Sequence, residues 1–231
     1  MPPVPTFARE AAVWADGRLL IGVDEVGRGP LAGPVVAAAV VFPAGTRALR
    51  GLRDSKVLPA AKRERLAQRV RARALALGLG AASAREIDRC NIRVATARAM
   101  RRAVRRLLAD AIRRGSLVDC SRVTVSSDRL PDSLCLLLDG LPLPEIGLPH
   151  DALVDGDALC QSVAAAGVVA KTVRDELMRR LAQRHPGYGW ATNAGYGTPE
   201  HQAALQRLGP TRHHRATFAP VAQLGFSFGT P

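Results

Sequence analysis

Lysine is almost missing from this chain. Lys56, Lys62 and Lys171 are the only three, although lysine and arginine together number 33. Arginine forks onto phosphates better than lysine does, but a GC-rich coding bias produces the same skew, so the skew alone decides nothing. Cysteine is scarce too. Cys90, Cys120, Cys135 and Cys160 have no Cys-x-x-Cys spacing, and the five histidines are scattered. That argues against a zinc site and leaves reduced thiols that fill core space. Long apolar runs are absent as well: 35–42 and 163–170 fall well short of the roughly 20 residues that a membrane span needs. Met1-Pro2-Pro3-Val4-Pro5 carries neither the basic nor the apolar region of a signal peptide. A cytoplasmic location without a membrane partner is expected. Neither an internal repeat nor a low-complexity linker interrupts the chain.

Acidic residues are the minority, 20 against 33, which leaves a net charge of +13. Such an excess favours a polyanionic partner, with affinity that falls as salt rises. At 231 residues and 47% apolar composition, the chain can bury a substantial core. One domain, or one with an appendage, is expected.

The most informative segment is Gly22-Val23-Asp24-Glu25-Val26-Gly27-Arg28-Gly29-Pro30-Leu31-Ala32-Gly33-Pro34. Two adjacent carboxylates end an apolar strand-like run and lead into a loop rich in glycine and proline. A strand end fixes a carboxylate, and glycines let backbone approach a ligand closely. Hard oxygen donors beside a cationic, backbone-rich loop suit a divalent metal and a phosphate. A tight turn with solvated acids does not explain why Asp24 continues a buried-looking strand, where an unpaired charge is costly.

Residues 18–24 and 35–42 read as neighbouring strands. From 59 to 77, Leu66, Val70 and Leu77 fall near one helical face, with Lys62, Arg63, Arg65, Arg69 and Arg71 over the others. Ser83 followed by Glu86 is a capping-box signature. A longer helix is expected over 91–112, with Ile92, Ala95, Ala99, Val104 and Leu107 or Leu108 buried. Its Arg98, Arg101, Arg102, Arg105 and Arg106 form a basic face, either simply solvated or lining a duplex. Residues 134–138 read as a strand ending at Asp139, repeating the geometry of Asp24. Gly156-Asp157 opens a helix over 158–184 with Asp157 as its N-cap, and His185-Pro186-Gly187 stops it. A short helix over 199–208 and a polar insertion over 116–128 complete the reading.

These motifs resemble an ordered series found in type 2 ribonuclease H, the bacterial ribonuclease HII family. After the opening segment come Asp54-Ser55-Lys56, Glu86-Ile87-Asp88, Asn91-Ile92, Ala95-Thr96 and Ala99-Met100. Asp139-Gly140, Ala164-Ala165-Ala166, Ala170-Lys171 and Arg174-Asp175 follow, then Gly195-Tyr196-Gly197-Thr198, His201 and His214-Arg215. The resemblance covers about 19–221. It implies an α/β ribonuclease-H-like mixed sheet flanked by helices, with a small C-terminal helical appendage. The divisions are then 1–17 as a tail, 18–187 as catalytic domain and 188–231 as appendage.

By the same resemblance, Asp24, Glu25, Asp139 and Asp175 are the catalytic acids and hold two Mg2+ or Mn2+ ions, roughly 3.5–4 Å apart in two-metal sites generally. Taken alone, Asp175 is a helix-surface acid paired with Lys171 one turn earlier. The resemblance also assigns Gly27, Arg28, Gly29, Tyr196, Lys56 and Lys171 to substrate binding, with Tyr196 against the sugar 3′ of the cut. The 2′-hydroxyl is what distinguishes RNA within a duplex. The implied substrates are RNA–DNA hybrids and duplex DNA with embedded ribonucleotides. The products are a 5′-phosphate and a 3′-hydroxyl, in ribonucleotide excision repair and RNA primer removal, by a monomer.

Two residues depart from the family pattern. Asp155 replaces the usual lysine, and Gly167 replaces a serine, which weakens a helix there by about 1 kcal/mol. The sister ribonuclease HIII shares the opening motif but carries an extra N-terminal domain and a glutamate as its last acid. Fewer than 20 residues precede Leu19, and the last acid is Asp175. A catalytically dead nucleic-acid-binding module on the same fold is the other rival. Retention of all four acids argues against it.

Overall fold

The computed structural model describes residues 3–116 and 129–227. Cys120 and nearly all of the expected 116–128 insertion lie outside these residues. Strand β2 (Val35–Val41) is buried at every position, and its alternation explains why. Val35, Ala37, Ala39 and Val41 join one apolar cluster, while Val36, Ala38 and Val40 join another on the opposite face. A strand covered on both faces reads as a continuous apolar run. Strand β1 (Leu19–Val26) pairs antiparallel with β2, as the sequence suggests.

Beyond β2 lies β3 (Ala76–Ala82), also antiparallel. On the other side of β1, β4 (Leu134–Asp139) and β5 (Asp151–Leu153) add in parallel. The order β3-β2-β1-β4-β5 makes a mixed five-stranded sheet. Helix α3 (Ala84–Arg114) covers one face, and α2 (Ala60–Arg73) and α5 (Gln161–Arg184) cover the other.

The expected helix over 59–77 ends early. Helix α2 stops at Arg73, and Leu77 lies on β3. Ala-Leu-Gly-Leu-Gly-Ala-Ala carries little strand propensity, and its glycines serve close packing instead. A Cβ at Gly78 would lie 2.0 Å from the Ala103 carbonyl oxygen, and one at Gly80 2.0 Å from that of Ala99. Helix α3 therefore rests directly on the β3 backbone.

The capping box forms with both reciprocal bonds, Glu86 N–H to Ser83 Oγ and Ser83 N–H to Glu86 Oε2. Helix α3 thus begins before Asn91, and the expected start at 91 is a kink. Asn91 has φ 64°, and its Oδ1 accepts from the Val94 amide at 3.1 Å, capping the second half. Ala95, Ala99, Val104, Leu107 and Leu108 are buried as expected, and Ile92 packs against them partly buried.

The helix expected over 158–184 is two helices. Helix α4 (Gly156–Leu159) ends at Cys160, whose φ of −120° and ψ of 127° are extended, and α5 follows. Asp157 is therefore not an N-cap; Asp155 occupies that place in the left-handed region. The break is held from far away in sequence. Thr6 bridges Cys160, and Glu10 Oε1 accepts from the Ser162 amide at 2.7 Å. Glu10 lies on α1 (Ala8–Ala15), so the expected tail holds a helix that caps α5. His185 terminates α5, as expected.

The C-terminal region contains α6 (Trp190–Asn193), the expected α7 (Pro199–Leu208) and α8 (Ala219–Ser227). Its apolar residues Tyr188, Trp190, Leu205 and Val221 cluster with Leu31, Ala32 and Met178. The appendage thereby grips the loop that follows β1. Among the described residues, no helix is long and apolar enough to cross a membrane.

Candidate active site

Val23 pairs with Leu138 in the last register position of the parallel β1–β4 ladder. Asp24 and Asp139 are the next residues, side by side at the C-terminal ends of both strands. Strand alternation fixes their direction. Val23, Leu136 and Leu138 face the α3 cluster, so Asp24 and Asp139 turn towards α5. Glu25 leaves on the other face and meets Arg28 Nη1 at 3.4 Å.

Gly167 makes room for this arrangement. A Cβ there would lie 2.2 Å from Asp24 Oδ2, so the departure that costs helix propensity gives the carboxylate its space. Asp24 Oδ1 also accepts the Glu25 amide at 2.6 Å. Asp139 Oδ1 accepts the Asp157 amide at 3.4 Å, where α4 begins. Asp155 tolerates its left-handed φ of 55° as few side chains other than Asn and Asp do.

Like charges crowd this strand end. Burial, then Glu25, Asp139 and Asp157, push the Asp24 carboxyl well above the usual carboxylate range. Burial raises Glu25 against the pull of Arg28, and burial raises Asp139. Asp157 is pushed up to about 6 by burial, then by Asp139 and Asp54. Sequence spacing missed Asp157 as a site residue because helix-capping accounted for it. Lys56 is an exposed cation that feels the group. Burial works against its charge, but Asp54, Asp24, Asp157 and Asp139 together raise its pKa.

Asp175 stands apart. Its Oδ1 accepts from Lys171 Nζ at 2.6 Å and its Oδ2 from Arg63 Nη2 at 2.5 Å. The pairing with Lys171 that its helical spacing suggests is thus present. Arg63, expected on the outer face of α2, is buried and also donates to the Ser55 and Leu58 carbonyls. Among the described residues, no three Asp, Glu, His or Cys side chains are gathered closely enough to hold an ion unaided.

Tyr196 is 42% exposed, and a Cβ at Gly29 would sit 3.9 Å from its Cε1. The structure therefore brings the Gly27-Arg28-Gly29 loop and Tyr196 together, although 167 positions separate Gly29 from Tyr196 in sequence. Tyr188 is an ordinary buried tyrosine, stacked on Trp190 and bonded to the Gly209 carbonyl.

The basic face of α3 divides. Arg102 and Arg106 donate to the Ala81 and Leu79 carbonyls of β3, the edge strand, and Arg102 also pairs with Glu86. These two arginines cover an open sheet edge. Arg98 is exposed.

The ribonuclease HII family model matches residues 21–221. The chain belongs to the ribonuclease HII family. The ribonuclease HII of Synechococcus sp. (strain JA-3-3Ab) is 48% identical over 223 residues, covering 95% of this chain and 90% of that one. The ribonuclease HII of Rhodospirillum rubrum is 51% identical over 213 residues, covering 90% and 88%. Solved structures carry the same fold. The ribonuclease H2 of Pyrococcus horikoshii aligns with a TM-score of 0.67 at 22% identity, over 91% of this chain and 98% of that one. Bst-RNase HIII in complex with Mn2+ aligns at 0.62 and 18% identity, over 91% and 70%. As a ribonuclease HII, the chain is a hydrolase of the ribonuclease H class.

Proposed function

We propose that this ribonuclease HII cleaves the RNA strand of RNA–DNA hybrids and cuts 5′ of single ribonucleotides embedded in duplex DNA. The products are a 5′-phosphate and a 3′-hydroxyl, which suits ribonucleotide excision repair and RNA primer removal by a monomer. The observation that carries the reading is the crowded strand end: Asp24 and Asp139 side by side with Asp157, flanked by the glycine loop and Tyr196. Crowded oxygens whose burial, with like charges nearby, raises their proton affinity are the donor set for hard divalent cations.

Asp24, Glu25, Asp139 and Asp175 are the residues that would hold Mg2+ or Mn2+. When bound, the two ions supply a nucleophilic water at neutral pH and stabilise the leaving 3′ oxygen. The protein's own groups do the rest. Gly167 leaves Asp24 its space. Arg63 and Lys171 hold the Asp175 carboxylate in place between α2 and α5. Lys56 draws the phosphate towards the acids, and Tyr196 stacks on the sugar beside Gly29. Arg28, tethered to Glu25, lies on the phosphate path.

The deciding experiment is cleavage of a duplex holding one ribonucleotide, with and without Mg2+. Cutting 5′ of that ribonucleotide only when Mg2+ is present is the expected result. Binding without cleavage under both conditions would instead mark a nucleic-acid-binding module.

A further inference from the structure

Two arginines are fully buried, and neither has a carboxylate within ion-pairing distance among the described residues. Arg215 donates from Nε to the Gly33 carbonyl at 3.1 Å, from Nη1 to Arg28 at 2.6 Å and from Nη2 to Gly27 at 2.5 Å and to Gly33 at 3.0 Å. Arg174 donates to the Pro34 carbonyl at 3.0 Å, to Ala32 at 3.2 Å and to Ala194 at 2.9 Å. Five carbonyls of the 27–34 loop are therefore turned into the protein. Ala194 belongs to the turn that carries Tyr196.

The amides of this loop divide sharply. Leu31 and Ala32 donate to the Gly195 carbonyl, and Gly33 donates to that of His213. The amides of Arg28 and Gly29 have no acceptor among the described residues. Burial lowers the pKa of both guanidiniums, that of Arg215 to about 9, with each other's charge adding to the effect on Arg215. Carbonyl dipoles satisfy the donors without cancelling the charge, so a positive potential stays beneath the loop.

We propose that Arg174 and Arg215 are positioning residues for ribonucleotide selection. They hold the loop with its carbonyls inward, so that the Arg28 and Gly29 amides remain free to donate to ribose and phosphate oxygens. Arg174 precedes Asp175 on α5, so one helical turn sets both the loop and an acid. The proposal rests on the reading of this loop and Tyr196 as the ribose-sensing site.

Arg215→Lys and Arg174→Lys test it, because an ammonium keeps the charge but cannot span several carbonyls as a planar fork does. Expected is a loss on a single embedded ribonucleotide at least tenfold larger than on a long RNA–DNA hybrid. Mn2+ binding by titration calorimetry should stay within twofold of the parent. Equal losses on both substrates, or none, overturn the proposal. Tyr196→Ala is the control. If it too leaves the substrate ratio unchanged, the ribose-sensing reading itself fails; if it shifts the ratio and the lysine variants do not, the arginine clamp alone is refuted.

A measurement on the parent protein covers the case in which the lysine variants do not fold. Amide exchange, in EDTA with a duplex holding one ribonucleotide, should slow at Arg28 and Gly29 and change little at Leu31, Ala32 and Gly33. Unchanged exchange at Arg28 and Gly29 overturns the proposal.

Discussion

The two polar centres of this molecule are built on opposite terms. At the ends of β1 and β4, burial first and neighbouring acids second raise the proton affinities of Asp24, Asp139 and Asp157. In the other centre, Arg174, Arg215, His201 and His214 are buried with their donors paired. His201 Nε2 accepts from Trp190 at 3.0 Å and meets His214 Nε2 at 3.1 Å, and His201 Nδ1 bonds the Tyr196 carbonyl at 2.9 Å. The first centre is frustrated by its own burial and charge. The second is saturated, its donors spent on backbone carbonyls and ring nitrogens. A protein tolerates local strain where the chemistry needs it and compensates nearby.

The largest expected effect breaks the frustrated centre. Asp24→Asn or Asp139→Asn should reduce cleavage on the order of 10³-fold or more, as loss of a preorganised electrostatic group does. The same variants should melt no lower than the parent at pH 7 without metal. Asp24's folded pKa lies above its unfolded value, so its ionisation destabilises the fold as pH rises, and Asn removes that penalty. A melting scan and a single-turnover assay check both halves. Full activity of Asp139→Asn in Mg2+ would sink the acid assignment.

The same contrast explains what the sequence let one read. Asp24 and Asp139 were legible because each ends an apolar strand, and the Ser83–Glu86 box, His185 and Pro199–Leu208 carry local signals of start and stop. Strand β3 was not, because Gly78 and Gly80 serve the backbone of α3 rather than strand propensity. The break at Cys160 depends on Glu10, 150 positions away. Arg174 and Arg215 stand in the sequence only as motif positions, and the carbonyls of a distant loop reveal what holds them. Local rules find groups whose partners are near in sequence. The saturated centre draws its partners from everywhere.

Arg63 joins the two kinds of centre, since it neutralises Asp175 and also satisfies two carbonyls. Arg63→Met should destabilise the protein by about 3 kcal/mol, the cost of leaving buried groups without their partner. Denaturant titration measures it, and a change under about 0.5 kcal/mol, typical of an exposed site, would return Arg63 to the surface.

A sharper test concerns Tyr196, which borrows its position from the saturated centre. Tyr196→Ala should cost roughly 1–3 kcal/mol of stacking, or about 5- to 150-fold, at an isolated ribonucleotide. The loss should be smaller on a long hybrid, where no RNA–DNA junction follows the cut. Equal losses on both substrates would make Tyr196 a general contact rather than a junction sensor.

The smallest effect separates the centres by pH. Burial, then His201, lowers His214 to about 4, and burial lowers His201 as well. These histidines are neutral in the fold and protonate more readily when unfolded. Their contribution therefore falls as pH drops from about 6.5 towards 4. Asp157 acts in reverse. Its folded pKa of about 6 exceeds the 3.8 of a free side chain, so its ionisation weakens the fold as pH rises from 3.8 through 6. Over pH 4–6 the two trends oppose, and the parent's melting temperature in EDTA should vary little on their account. Asp157→Asn removes one arm. Its melting temperature should then climb with pH by roughly a few degrees more than the parent's, given about 2–4 °C per kcal/mol at this size. Parallel curves for variant and parent would mean that Asp157 is not held in the crowded state described at the end of β4.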